Sequence, residues 1–231
     1  MATVTGSLVG LLVGVAMGAR HALDPDHLAA VSVLSADAPG ARRGALLGAL
    51  WGIGHAAALL GTGLVLAALA AELPPVLCDA FELAVAVMLI VLGARAIHRV
   101  MRDPGDGPNI LHAHARVSHR HAGPPAHVHV ARRTLALRPL AVGVVHGLAG
   151  SGALTALVLA RMPSPHLRFA YMALFSVGSI VGMCVLSGLA GWPLARIARH
   201  PRAARLLLGT VGAASAALGL IWGWPIAGRL L

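Results

Sequence analysis

Six stretches of about 20 to 30 predominantly apolar residues follow one another along this chain, at 4–34, 43–71, 78–101, 134–161, 167–197 and 203–226. A helix needs about 20 such residues to cross the hydrocarbon of a bilayer, and backbone polar groups there must be satisfied within the segment. This pattern leaves little choice of architecture. The expected fold is an all-α integral membrane protein of about six transmembrane helices. Proline marks the joints, at Pro39, Pro74, Pro75, Pro163, Pro165 and Pro201. Only 11% of the residues are charged, and 58% are hydrophobic. The N-terminus lacks the basic n-region of a signal peptide, so 4–34 is read as a retained span.

The net charge of +10 comes from arginine alone, without a single lysine. Clustered arginine can mark a nucleic-acid surface. Here the arginines sit between apolar spans with few aromatics to stack on bases, so nucleic acid is excluded as a partner and the bilayer is the expected one. Fourteen of the eighteen fall in the joints after the first, third and fifth spans. By the positive-inside rule those joints face the cytoplasm, and both termini face out. Cys78 and Cys184 form no C-x-x-C pair and are expected to be small buried side chains.

The chain divides into a first three-helix unit at 1–101, a polar histidine-rich loop at 102–133, and a second three-helix unit at 134–231. The units resemble one another. Val13-Gly14-Val15 matches Val142-Gly143-Val144, Gly54-His55 matches Gly178-Ser179 with Trp51 and Phe175 ahead of each glycine, and Leu92-Gly93 matches Leu218-Gly219. Three spans per unit is odd, so two such units are inverted repeats, an architecture of transporters with the site at the repeat interface.

Within the first span stands Arg20-His21-Ala22-Leu23-Asp24-Pro25-Asp26-His27. Ionisable residues at membrane depth are costly and mark function. Two carboxylates and two imidazoles suit a borderline divalent ion. On a regular helix His21, Asp24 and His27 share a face and Asp26 does not. Pro25 removes an N–H and disfavours helix before it, so a break here is expected to turn Asp26 inward and expose carbonyls to an ion. Arg20 is expected as a counter-charge to Asp24 or Asp26. The alternative is that this cluster is a loop outside the membrane. Trp51-Gly52-Ile53-Gly54-His55 supplies a further imidazole, as does His146 in His146-Gly147-Leu148-Ala149-Gly150-Ser151-Gly152; either can also be a packing hydrogen bonder. The loop carries three H-x-H pairs, His112/His114, His119/His121 and His127/His129, a pattern suited to auxiliary metal capture.

His21, four residues, then Asp26-His27 resembles the signature of the bacterial nickel/cobalt transporter family, and Gly54-His55 resembles that family's second glycine-histidine element. The resemblance implies a multi-pass protein of the bacterial plasma membrane that moves Ni²⁺ or Co²⁺, with His21, Asp24, Asp26, His27 and His55 as metal-handling positions. No resident cofactor is implied; the ion is the substrate, and a cytoplasmic metallochaperone is a possible partner. The family's longer members have about eight spans, a small residue where Pro25 stands, a hydroxyl residue where Ala56 stands and an acidic motif in the second half, whereas no acid follows Asp106 here. The stretch His146–Gly152 is more similar to the short, six-span, urease-accessory-type branch. Uptake of the ion is the leading expectation. Export, or a membrane accessory role in delivering nickel to urease assembly, are its alternatives. An enzyme is not expected: Gly150-Ser151-Gly152 is suggestive of a rhomboid-like intramembrane serine protease, but the sixth span has no histidine to act as base. Metal affinity is expected to fall as pH drops through about 6.5, because imidazoles bind metal only when neutral.

Overall fold

A computed structural model of the protein describes residues 2–37, 40–69, 73–102, 110–114, 117–121, 137–150 and 164–231. The described residues form α1 (Ala2–His21), α2 (Pro25–Asp37), α3 (Ala41–Leu69), α4 (Pro75–Arg102), a hairpin of β1 (Ile110–His114) and β2 (Val117–His121), α5 (Leu137–Gly150), α6 (Pro165–Ile197) and α7 (Pro201–Leu230). Four of these helices, α3, α4, α6 and α7, are long and apolar enough to cross a membrane. Proline opens α2, α4, α6 and α7, where its fixed φ suits the first helical turn and its missing N–H costs nothing. Ser164 caps α6 through a hydrogen bond that Leu167 N–H donates to its Oγ at 3.3 Å.

The first expected span is not one helix. α1 ends at His21 and α2 begins at Pro25. The break is a tight turn, in which Leu23 N–H donates to Arg20 O and Asp24 N–H to His21 O. The carbonyls that a broken helix was expected to expose are therefore occupied, a correction that follows from how short the interruption is. α2 has 13 residues, about 20 Å at 1.5 Å per residue, against the roughly 30 Å of hydrocarbon. It lies inside the bundle, touching α3, α4, α6 and α7. Ala30 and Val31 are buried there with Leu89, Val85, Trp51 and Met183. Gly40 turns the chain from α2 into α3 with φ of 129°, a backbone that L side chains rarely adopt, and its N–H donates to Gly191 O on α6.

Glycine lets helices approach in several pairs, among them α3 and α6, where Gly44 lies against Ser187 O and Gly48 against Met183 O. Between α1 and α6, Gly18 lies against Phe175 O, and Gly178 against Val15 O. Between α3 and α5, Gly143 lies against Trp51 O, and Gly54 against Leu140 O. Between α4 and α7, Gly93 lies against Gly212 O, and Gly219 against Ala86 O. At each position a Cβ would collide with the opposing backbone, so only glycine permits the approach. Ser215 Oγ–H adds a bond to Leu89 O across α4 and α7 at 3.0 Å. At one end of that pair Arg229 clasps Asp79 with both carboxylate oxygens, at 2.6 and 3.1 Å. The hairpin is an addition to the expected all-α fold and lies within the histidine-rich loop.

Candidate metal centre

The α1–α2 break delivers its side chains inward in two directions. His21 is the last residue of α1, and Asp26 and His27 lie in the first turn of α2. His27 is 2% exposed and Asp26 13% at the side chain. Two further imidazoles meet them: His55 from the middle of α3, fully buried, and His146 near the end of α5, 2% exposed. His21 and His27 have ring centroids 4.5 Å apart, His21 and His55 5.2 Å, His27 and His55 5.5 Å, and His27 and His146 4.8 Å. Two sets of donor atoms result. His21, His27 and His55 have ligand atoms within 4.8 Å of one another, and so do Asp26, His27 and His146.

The hydrogen bonds around the rings fix which nitrogen is free. His21 Nδ1–H donates to Asp24 Oδ2 at 2.6 Å, His27 Nδ1–H to Asp26 Oδ1 at 3.1 Å, and His146 Nδ1–H to Val142 O at 3.1 Å. An acceptor behind Nδ1 holds the ring in the tautomer whose Nε2 carries the lone pair, which is how metal-binding imidazoles are oriented. Nε2 of His27, Nε2 of His146 and both nitrogens of His55 are buried with no protein partner. His146 Nε2 stands 3.6 Å from Asp26 Oδ2. A buried polar atom without a partner costs about 1–3 kcal/mol, so four of them gathered at one place require a ligand or another compensating group.

Trp51 and Phe175 wall the site. The Trp51 indole stacks on His27 at 5.3 Å and meets His146 edge-on at 5.4 Å, and Phe175 lies 5.5 Å from His21. The aromatic-before-glycine pattern had singled out both residues, but as a mark of repetition and not as walls of a site. Ser176 and Ser179 on α6 are also buried with unpartnered hydroxyls. Nothing in their apolar surroundings distinguished Ser176 in the sequence.

The structure therefore brings together His21, Asp26, His27, His55 and His146. Asp24 stands behind His21, its side chain half exposed, and belongs to neither donor set. Arg20 does not serve as the expected counter-charge. It is exposed, and among the described residues the two aspartates pair with histidines instead. Asp24 stays beside the last turn of α1 but bonds to His21, while the Arg20 side chain is exposed. Of the loop histidines, His112 and His119 are directly paired in the hairpin register, and His114 and His121 lie on the same two strands. His127 and His129 lie outside the described residues, as does Ser151 of the serine-protease alternative.

Four helices long and apolar enough to cross a membrane surround a broken helix and a buried histidine–carboxylate cluster, the architecture of a helical membrane protein. The chain is 28% identical to urease accessory protein UreH of Bacillus sp. (strain TB-90) over 210 residues, 91% of this chain and 88% of that protein. It is also 29% identical over 181 residues to the Arabidopsis thaliana chloroplast protein FOR GROWTH AND FERTILITY 1, a match covering 78% of this chain and 48% of that longer protein. No family model and no solved structure matches. The likeness to the Bacillus urease accessory protein supports the resemblance of the Arg20–His27 motif to the nickel/cobalt transporter family.

Proposed function

We propose that the protein carries a divalent transition-metal ion, nickel or cobalt, inward across the bacterial plasma membrane, with His21, Asp26, His27, His55 and His146 as its handling groups. The observation that carries this reading is the set of buried imidazole nitrogens that face one another without a protein partner beside an aspartate. A histidine that only packs would have found a donor for its free lone pair, or, at His55, partners for both nitrogens. Imidazole with one carboxylate is a donor set for nickel, cobalt or zinc and not for magnesium or calcium. The histidine-rich loop gathers ions for the site, and a cytoplasmic metallochaperone is a partner of that loop.

We infer further that the bundle is six spans in two inverted repeats, α1–α2, α3 and α4 answering the segment that begins with α5, α6 and α7. The glycine packing supports this. Gly18 with Phe175 recurs as Gly143 with Trp51, Gly178 with Val15 as Gly54 with Leu140, and Gly93 with Gly212 as Gly219 with Ala86. In this register Gly143 answers Gly18, not Gly14 as the short sequence match had it, and His21 answers His146. The contact of His21 with Phe175 then answers that of His146 with Trp51.

Purified protein in liposomes, loaded with a metal-sensing dye, tests the transport reading. Ni²⁺ or Co²⁺ should enter in the parent and fail to enter in His27→Ala of equal insertion. A membrane accessory role in nickel delivery, which the name of the Bacillus relative favours, would instead give metal binding without flux. Cysteines placed in the joints and labelled from each side of intact cells test the orientation: outside labelling of the joint after α4 would reverse it.

A further inference from the structure

We propose that the centre is two overlapping metal stations and not one, His21–His27–His55 and Asp26–His27–His146, which share His27 and pass a single divalent ion between them. The inference rests on the transport reading above and adds to it how the ion moves inside the protein.

The geometry separates the stations. His21 and His55 touch each other and His27. His146 makes ring contacts with His27 and Trp51 and with neither His21 nor His55. Each triad closes within 4.8 Å, and its members do not join the other set except through His27. An ion bonded at about 2.0–2.1 Å to three donors needs them about 3.3 Å apart, so each triad closes on an ion by side-chain shifts of about an ångström. The five donors do not form one set within 4.8 Å, so as they stand one ion reaches one triad or the other.

The chemistry of His27 makes the stations exclusive. Its Nδ1–H is committed to Asp26 Oδ1, which leaves Nε2 with one lone pair. One lone pair binds one ion. His27 can stay attached while the ion exchanges His21 and His55 for Asp26 and His146, so the ion is never stripped of all protein ligands. Both stations also supply only three donors, which leaves positions open for water or an incoming group, unlike a closed structural site. The first is all imidazole; the second replaces one imidazole by a carboxylate. Transfer thus trades a nitrogen donor for a negative charge, and neither station needs to be a trap. Passage requires binding strong enough to enter and weak enough to leave.

The surroundings differ in the same sense. The first station is bounded by Phe175 and by Gly150, where a Cβ would lie 3.9 Å from both His21 Nε2 and His55 Cε1. The second is bounded by the Trp51 indole and by the α5 backbone that orients His146 through Val142 O. Each station therefore meets a different part of the bundle.

Cobalt absorption in detergent-solubilised protein tests this, because ligand-field bands differ between an all-imidazole set and a set containing a carboxylate. The parent titrated with substoichiometric Co²⁺ should give a composite band whose shape changes with temperature. His55→Gln should keep saturable binding with the carboxylate-containing spectrum, and His146→Gln should keep it with the imidazole spectrum. Both should lose flux, since each retains one station and no route between them. His27→Gln, and the double variant, should lose binding. A temperature-independent single band in the parent, or one spectrum common to His55→Gln and His146→Gln, overturns the two stations while leaving transport intact. A parent that neither binds nor moves Co²⁺ sinks the transport reading itself. The parent measurement stands even where a variant fails to fold.

Discussion

Asp24 tests the distinction between holding a ligand and being one. Its carboxylate lies 2.6 Å from His21 Nδ1 and outside both donor sets. Replacing such a supporting acceptor costs about 10- to 100-fold in metal affinity, or about 1.4 to 2.7 kcal/mol. The structure decides where in that range Asp24 falls. Its side chain is 50% exposed, so water can take over as acceptor for Nδ1–H and part of the carboxylate's field is already screened. Asp24→Asn, which keeps an acceptor and removes the charge, should therefore weaken Co²⁺ binding by about tenfold. Asp26 is different. It orients His27 with one oxygen and faces His146 with the other, at 13% exposure. Asp26→Asn should exceed the hundredfold limit for a supporting group, because it also removes a donor. Calorimetric or spectrophotometric titration of both variants in the same detergent and at fixed pH measures the difference. If Asp24→Asn binds like the parent, the orienting bond does nothing. If it binds as poorly as His21→Ala, Asp24 is itself a ligand, and the geometry has been misread.

Gly150→Val places branched carbon against His21 Nε2 and His55 Cε1; flux in liposomes should fall sharply while the protein still inserts and still binds Co²⁺ through Asp26, His27 and His146. Gly54→Ala and Gly143→Ala drive a methyl into the opposing backbone and should lower thermal stability in detergent by about 1–3 kcal/mol each, whereas Gly61→Ala and Gly209→Ala, with nothing within 4 Å, should not. Deleting 110–121 should leave maximal flux nearly unchanged and raise the Ni²⁺ concentration needed for half of it; complete loss of flux in a normally inserted deletion would put the hairpin in the pathway.

The break at Pro25 was legible because proline acts locally: it removes one donor and restricts one neighbour wherever it stands. His21, Asp26 and His27 were legible for the same kind of reason, since charge at membrane depth stands out against apolar surroundings. What Asp24 and Arg20 do was not. On a regular helix Asp24 shares a face with His21 and His27, and only the tight turn decides that it sits behind His21 instead of beside a ligand. The walls of the site were illegible too. In a soluble helix apolar periodicity tells inside from outside, but here lipid and core both accept leucine and valine. Ile53 is exposed and Trp51 buried two residues away, within one continuous apolar run. The repeat proposed above pairs Gly143 with Gly18 where the sequence match had Gly14, because a Val-Gly-Val match costs little in a membrane helix, while Gly18 is fixed by the carbonyl it must approach.

The missing acids of the second half have a physical account in this arrangement. In the repeat register, His21, Asp24, Asp26 and His27 answer His146, Ala149, Ser151 and Gly152, so the second half returns one imidazole and no charge. In the two proposed stations a carboxylate is already at hand in each, Asp26 as a donor in one and Asp24 behind His21 in the other. A further buried acid opposite them would need its own compensation whenever the ion is absent. Asp26 avoids this by serving both halves: it holds His27 on its own helix and reaches His146 on α5. Glycine at 150 then does what an acid there could not, leaving space beside His21 and His55. The asymmetry between the halves is what divides one histidine cluster into an all-imidazole set and a carboxylate-containing set.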